Sequence, residues 1–202
     1  MTIRRLSIYT RCLTQLEEDG VKTVSSQELA DRFSLNSAQV RKDLAYFGEF
    51  GIRGIGYQVS ALKSELQKIL GLDREWPVAL VGFGNLGSAL FNYKGFSRQG
   101  FRIAAIFDED PMKAGRVVGG VPVLTMKELP REIKARSLTI GVIAVPAEAA
   151  QAVADQLAAA GVKSILNFAP TRLKVAKDVR LKNVDLTIEL ENLSFYLSQG
   201  IR

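Results

Sequence analysis

Histidine is absent from all 202 residues, and Cys12 is the sole cysteine. Without histidine the chain lacks the commonest general base, the usual partner of a serine nucleophile and the commonest transition-metal ligand. No metal site is therefore expected, and no residue is assigned a catalytic role, with Lys, Tyr and Asp the acids and bases that remain. A lone cysteine excludes an internal disulfide framework and fits a reducing compartment. No apolar run reaches the roughly 18 residues that a membrane-spanning helix needs. The start, Met1-Thr2-Ile3-Arg4-Arg5, leads into an amphipathic segment and not into the apolar core of a secretory signal. A cytoplasmic protein with no membrane partner is expected. A concentrated basic block is missing too. The net charge is +6, yet residues 1–76 hold 11 Lys+Arg against 10 Asp+Glu, a balance of +1. Such a chain is compatible with a polyanionic partner without establishing one.

What is present centres on Val78–Asp108. The apolar run Val78-Ala79-Leu80-Val81 reads as a buried strand. It enters Gly82-Phe83-Gly84-Asn85-Leu86-Gly87, a G-x-G-x-x-G turn that opens a helix, and a second apolar run ends at Asp108. In this context the glycines have separate tasks. Gly82 turns the chain, Gly84 admits a pyrophosphate, and Gly87 lets the helix lie close to the sheet. The helix start favours phosphate charge through its free N–H groups and dipole. Asp108, 21 residues after Gly87 (108 − 87), is placed to accept hydrogen bonds from ribose hydroxyls, favouring NAD(H) over NADP(H). Lys113 and Arg116 follow closely and weaken that preference. Thr139–Val145 reads as a continuous apolar strand of a parallel sheet, with Pro146 opening an Ala-rich helix. Val162–Phe168 is a further strand, with Asn167-Phe168-Ala169-Pro170 at its exit. Thr125-Met126-Lys127-Glu128 is a capping box, and Tyr93-Lys94-Gly95-Phe96 closes the helix of the glycine turn.

Before this unit, the pattern is helical. Residues 3–19 form a first helix with Ile3, Leu6, Leu13 and Leu16 on one face. Ser25 and Glu28 form a capping box. After the turn Ser34-Leu35-Asn36, Val40, Leu44 and Phe47 face a core at i, i+4 and i+7. The opposite face of that helix is small and basic, as a helix-turn-helix requires. Ser37, Gln39, Arg41, Lys42 and Tyr46 are its candidate DNA contacts, with Gln39 suited to adenine and the cations to phosphate or guanine. Glycines 48, 51, 54 and 56 divide short β-like pieces into a hairpin wing whose tip holds Arg53 and Gly54. An arginine there can enter a minor groove or grip the backbone. Ser60 is expected to cap a helix carrying Leu62, Leu66 and Ile69, and Leu72–Pro77 to form a short linker. At the other end, Leu186, Leu190, Leu193 and Leu197 line one face of a last helix. Packing on its own sheet and packing on a second protomer both stay open.

A winged helix followed by a Rossmann domain in one short chain resembles the bacterial Rex family of redox-sensing transcriptional repressors. The stretches that carry the likeness are Arg5–Arg11, Ala38–Leu44, Gly51–Tyr57, Val81–Tyr93, Leu166–Pro170 and Asn183–Asp185. The resemblance implies an α/β architecture in three parts: a winged-helix DNA-binding domain over residues 1–76, an NAD(H)-binding Rossmann domain over 77–182, and a C-terminal helix over 183–202. That helix would be domain-swapped in a homodimer. It implies binding to inverted-repeat operator DNA when NADH is low, with NAD⁺ or no ligand, and release by NADH. Arg11, Tyr93 and Asp185 resemble the family's inter-subunit contacts that report cofactor state. Around the nicotinamide, Val145, Pro146, Asn167, Phe168, Ala169 and Pro170 join the glycine turn as cofactor residues. Two other readings compete. One is a small NAD-dependent dehydrogenase using Lys, Tyr or Asp as acid and base, although only about 125 residues (202 − 77) remain for cofactor and substrate. The other is a CoA- or nucleotide-binding regulatory subunit.

Overall fold

The structure, a computed structural model, describes residues 2–52 and 54–200. The chain divides into two compact units, Met1–Arg74 and Glu75–Arg202.

The first unit contains α1 (Thr2–Glu18), β1 (Thr23–Val24), α2 (Ser26–Phe33), α3 (Ser37–Phe47), β2 (Tyr57–Gln58) and α4 (Val59–Ile69). Its core is made by Leu6, Tyr9, Leu13 and Leu16 of α1 with Leu29, Val40, Leu44, Leu62 and Leu66. Ile3 lies a turn before the first residue that reaches this core and is exposed. The buried stripe continues through Tyr9 and Cys12 instead. The capping box forms as the spacing predicts: Glu28 N–H donates to Ser25 Oγ at 3.1 Å, and Ser25 N–H to Glu28 at 2.7 Å. Asn36 caps α3 by accepting from Gln39 N–H at 2.9 Å.

One local expectation fails and a second holds in part. Helix α4 starts at Val59 with Gln58 at its cap, so Ser60 lies inside the first turn. Val59 is buried and its N–H donates to the Lys22 carbonyl at 2.9 Å, so that start needs no side-chain cap. The wing is a tight turn closed by the Ile52–Gly56 bridge, while β2 pairs antiparallel with β1. Glu49-Phe50 is not a strand.

The second unit begins with β3 (Trp76–Val81), so the expected linker is already strand from Trp76 on. It continues through α5 (Asn85–Asn92), α6 (Lys94–Arg98), β4 (Phe101–Asp108), β5 (Val117–Val118), β6 (Val121–Thr125), α7 (Leu129–Ala135), β7 (Ile140–Ile143), α8 (Ala147–Ala160), β8 (Ser164–Asn167), β9 (Arg180–Asn183) and α9 (Leu186–Ser198). The sheet order is β5-β6-β4-β3-β7-β8-β9, with only β5 paired antiparallel. Leaving out the β5 hairpin arm, the order in chain terms is 3-2-1-4-5-6, the doubly wound arrangement of dinucleotide-binding sheets. Residues along β3 alternate between two cores. Ala79 and Val81 pack with α7 and α8, while Val78 and Leu80 pack toward Phe83, Leu90 and Phe91. The order in which the chain adds strands to the sheet reverses between β3 and β7, which pair parallel and flank the switch point.

Two features depart from the sequence pattern. The helix after the glycine turn stops at Asn92, and Tyr93 stands between α5 and α6 as the cap of both. Strand β9, Arg-Leu-Lys-Asn, is polar and mostly exposed at the sheet edge and gives no apolar signal.

Candidate cofactor site and nucleic-acid interface

The three glycines of the fingerprint meet three different constraints. Gly82 has φ +93°, and a Cβ there would sit 2.5 Å from the Ala144 carbonyl oxygen, on the neighbouring strand's exit. A Cβ on Gly87 would collide with the Gly82 carbonyl oxygen, so helix and turn are in direct contact. Gly84 caps α5 and faces open space: a Cβ there would meet nothing within 4 Å. Room is thus left at the head of a helix whose first N–H groups have no helical acceptor.

This opening joins a cavity of about 510 Å³ beyond the carboxyl ends of β3, β4 and β7. Gly82, Gly84, Asp108, Val145 and Pro146 line it, together with Lys113, Glu109 and Asp110. Asp108 is 8% exposed. Its Oδ2 accepts from Phe83 N–H at 2.7 Å and its Oδ1 from Asp110 N–H at 2.9 Å, while Lys113 Nζ lies 3.2 and 3.1 Å from Oδ1 and Oδ2. Burial pushes this carboxyl up, but the Asp110 and Phe83 N–H groups and the Lys113 ammonium outweigh it and hold the pKa below the ordinary value. The first of these bonds ties β4 to the glycine turn. Lys113, read in the sequence only as a charge weakening cofactor preference, is a partner of Asp108.

The other expected cofactor residues lie around the cavity and not on it. Phe83 turns its ring to the opposite face, edge-on to Phe91 at 6.0 Å. Asn85 and Leu86 form the first turn of α5. Asn167 is fully buried: its Nδ2 donates to the Ala169 and Thr171 carbonyls and to Asn183, and its Oδ1 accepts from Ala169 N–H at 3.0 Å. It shapes the loop Phe168-Ala169-Pro170. Ala169 is buried in the α7–α8 core, Phe168 packs on the other face, and Pro170 is exposed.

In the first unit, α3 presents Ala38, Arg41, Lys42, Ala45 and Tyr46 to solvent, Tyr46 at 80% exposure. Ser37 and Gln39 are half-buried. Arg41 donates to Ser26 Oγ at 3.1 Å. Gly54 lies in the wing turn between exposed Ile52 and Ile55, and Arg53 lies outside the described residues. The side chain that the sequence pattern does not single out is Asp43. It is 3% exposed, on the core stripe of α3, three residues after Val40. It accepts from the Arg5 guanidinium, from Tyr9 Oη at 2.9 Å and from Gln39 Nε2 at 2.8 Å. The Arg5 hydrogen bond lowers the Asp43 pKa to about 2 against the effect of burial, with help from Tyr9 and Gln39. Burial and then Asp43 raise Tyr9 to about 12. One buried carboxylate therefore joins α1 to α3 and holds Gln39. An acidic residue on an apolar stripe was the available signal.

Of the remaining predicted residues, Arg11 is exposed on α1, and Asp185 caps α9 by accepting from Thr187 N–H at 2.9 Å. Tyr93 is exposed, with its ring edge-on to Phe96 at 5.2 Å. Every residue of α9 is exposed, including Leu186, Ile188, Leu190, Leu193, Phe195, Tyr196 and Leu197. Packing of this helix on its own sheet is therefore not what the structure contains. Among the described residues no cluster of acidic or cysteine side chains could hold a metal, and no helix is long and apolar enough to cross a membrane.

Residues 1–45 match a family described as putative DNA-binding protein N-terminus, and residues 73–171 one described as CoA binding domain. Over 201 residues the chain is 55% identical to the redox-sensing transcriptional repressor Rex of Syntrophomonas wolfei, covering 100% of this chain and 96% of that protein. A crystal structure of RSP in complex with beta-NAD⁺ and operator DNA matches with a TM-score of 0.95 at 40% identity, covering 98% of this chain and 92% of the other. RSP in complex with beta-NADH matches with a TM-score of 0.88 at 39% identity, over 98% and 93%.

Proposed function

The chain belongs to the Rex family of redox-sensing transcriptional repressors, and from that premise we propose how its own residues carry out sensing and repression. It is a repressor and not an enzyme, so the dehydrogenase reading is set aside. It binds operator DNA when NADH is low and leaves it when NADH rises. NAD⁺ and NADH occupy the cavity at the Gly82–Gly87 turn. The observation that carries this assignment is the contrast within the fingerprint: Gly82 and Gly87 are packed against backbone, while Gly84 opens onto space at the head of α5. A pyrophosphate fits that opening, with the first N–H groups of α5 as donors and Asp108 on the ribose side. Val145 and Pro146 form the far wall, and the loop shaped by Asn167 carries Phe168, Ala169 and Pro170 toward the nicotinamide end.

DNA reading falls to α3 and the wing. Ser37, Arg41 and Lys42 grip phosphates or guanine, Gln39 and Tyr46 meet base edges, and Arg53 with Gly54 enters the minor groove. The apolar, uncovered α9 is the dimerisation element, swapped onto a second copy in the cytoplasmic homodimer. Two reading heads then meet an inverted repeat with half-sites a helical turn apart. Arg11, Tyr93 and Asp185 are the polar contacts that relay cofactor state between subunits.

A ligand moves this equilibrium only by its differential affinity for the two arrangements of the dimer. NADH and NAD⁺ differ by one charge and by the planarity of the ring, and the walls respond to that difference. Linkage then requires operator DNA to weaken NADH binding by the same factor by which NADH weakens operator binding. Titrating NADH fluorescence with and without inverted-repeat operator tests it. The expected outcome is weaker NADH binding in the presence of operator; equal affinities would remove the coupling.

A further inference from the structure

The four hydrogen bonds on the Asp108 carboxylate are of two kinds. Two come from backbone N–H groups, Phe83 to Oδ2 and Asp110 to Oδ1, and belong to the glycine turn and to the loop after β4. The other two come from one flexible side chain, Lys113, whose Nζ spans both oxygens. An ionised carboxylate offers about four lone-pair sites, so Lys113 occupies those that the backbone leaves. These are the sites a pair of ribose hydroxyls needs. The Lys113 side chain is 31% exposed and lines the cavity, so it is free to move. It also has a second carboxylate to turn to, Asp110 Oδ2 at 4.0 Å.

Resting on the NAD(H) reading of this cavity, we propose that Lys113 is a displaceable plug on the ribose subsite. The hydroxyls of the adenosine ribose exchange for the ammonium on Asp108, and Lys113 moves aside toward Asp110. The exchange sets two properties. Each NAD(H) binding event must break the Lys113–Asp108 pair, which holds affinity below what the turn and Asp108 would otherwise give. The wall that meets a 2′-phosphate carries Asp108, Glu109 and Asp110, and Lys113 is the one cation lining the cavity among the described residues. Its ammonium is thus also what softens the rejection of NADP(H). Lys113 is a positioning and specificity residue in this scheme: it acts on ribose recognition through Asp108.

A ligand-contacting lysine and a competing lysine give opposite results on removal, which makes the experiment decisive. NADH and NADPH are titrated by fluorescence against the full chain, Lys113→Met and Lys113→Arg, with a melting curve for each. Lys113→Met is expected to tighten NADH about fivefold, the scale of a partly exposed ion pair, and to weaken NADPH. Lys113→Arg, which keeps the cation, is expected to stay near the parent for both. If NADH affinity is unchanged or weaker in a folded Lys113→Met while the parent binds NADH normally, the plug is overturned. Failure of the parent to bind NADH at all is a separate result, and it would overturn the cofactor assignment itself.

Discussion

Glycine 84 and glycine 87 separate fold from ligand binding at the scale of single residues. Gly84→Val puts a side chain into open space at a helix cap, so it is expected to lower stability by no more than about 1 kcal/mol. The same side chain fills the opening proposed for the pyrophosphate, so NADH affinity is expected to fall at least about tenfold. Gly87→Ala does the reverse. Its methyl meets the Gly82 carbonyl, and a loss of about 2–3 kcal/mol is expected by urea unfolding. Asp43 is the other decisive residue. Replacing it with Asn leaves the Arg5 charge and the buried Tyr9 hydroxyl poorly paired, for a loss of about 2 kcal/mol near neutral pH. The pH dependence follows in sign. Asp43 titrates near 3.9 when unfolded and at about 2 when folded. Its contribution is therefore complete above about pH 4 and is lost as pH falls toward 2. Acid unfolding curves should show that loss in the parent and its absence in Asp43→Asn. The fingerprint glycines were legible because their constraints are local and a six-residue spacing encodes them. The Arg5–Asp43 pair spans 38 positions, and no local pattern joins its two ends.

Elements were legible where a single chemical rule decides them. Both capping boxes formed where the Ser25/Glu28 and Thr125/Glu128 spacings place them. Strand β7 and helix α8 followed from an apolar run and a proline. Elements set by their neighbours were not. β9 is a strand because β8 offers it an edge, and α4 begins at Val59 because a buried side chain and the Lys22 carbonyl fix it there. Helix α9 has an apolar stripe but also Ile188, Phe195 and Tyr196 off it, and all of them are exposed. Its sequence therefore signals a partner without saying which. With α9 as the dimerisation element proposed above, Leu190→Glu with Leu193→Glu is expected to give a monomer by analytical ultracentrifugation while the circular dichroism of the sheet is kept. Operator affinity should fall with it, because the second half-site then binds as a separate event. On α3, Lys42→Ala should weaken binding almost equally on all sequences and reduce the slope of log affinity against log salt by about 1. A change in base preference instead would make Lys42 a base reader.

At the scale of the whole molecule, two units are joined by a cofactor-dependent choice. The N-terminal unit holds α3, the proposed DNA-reading helix, pinned by Asp43, and the C-terminal unit holds a cavity at the switch point of a doubly wound sheet. The central claim is that the reduced cofactor, seated at Gly84, lowers affinity for the operator. An electrophoretic mobility shift on an inverted-repeat operator, run with NADH, NAD⁺ and no nucleotide, for both the parent and Gly84→Val, tests it most directly. NADH is expected to move the parent's midpoint at least about tenfold to weaker binding, a typical allosteric coupling, with little effect from NAD⁺ and no response in Gly84→Val. A parent that holds the operator equally well in all three conditions would contradict the account.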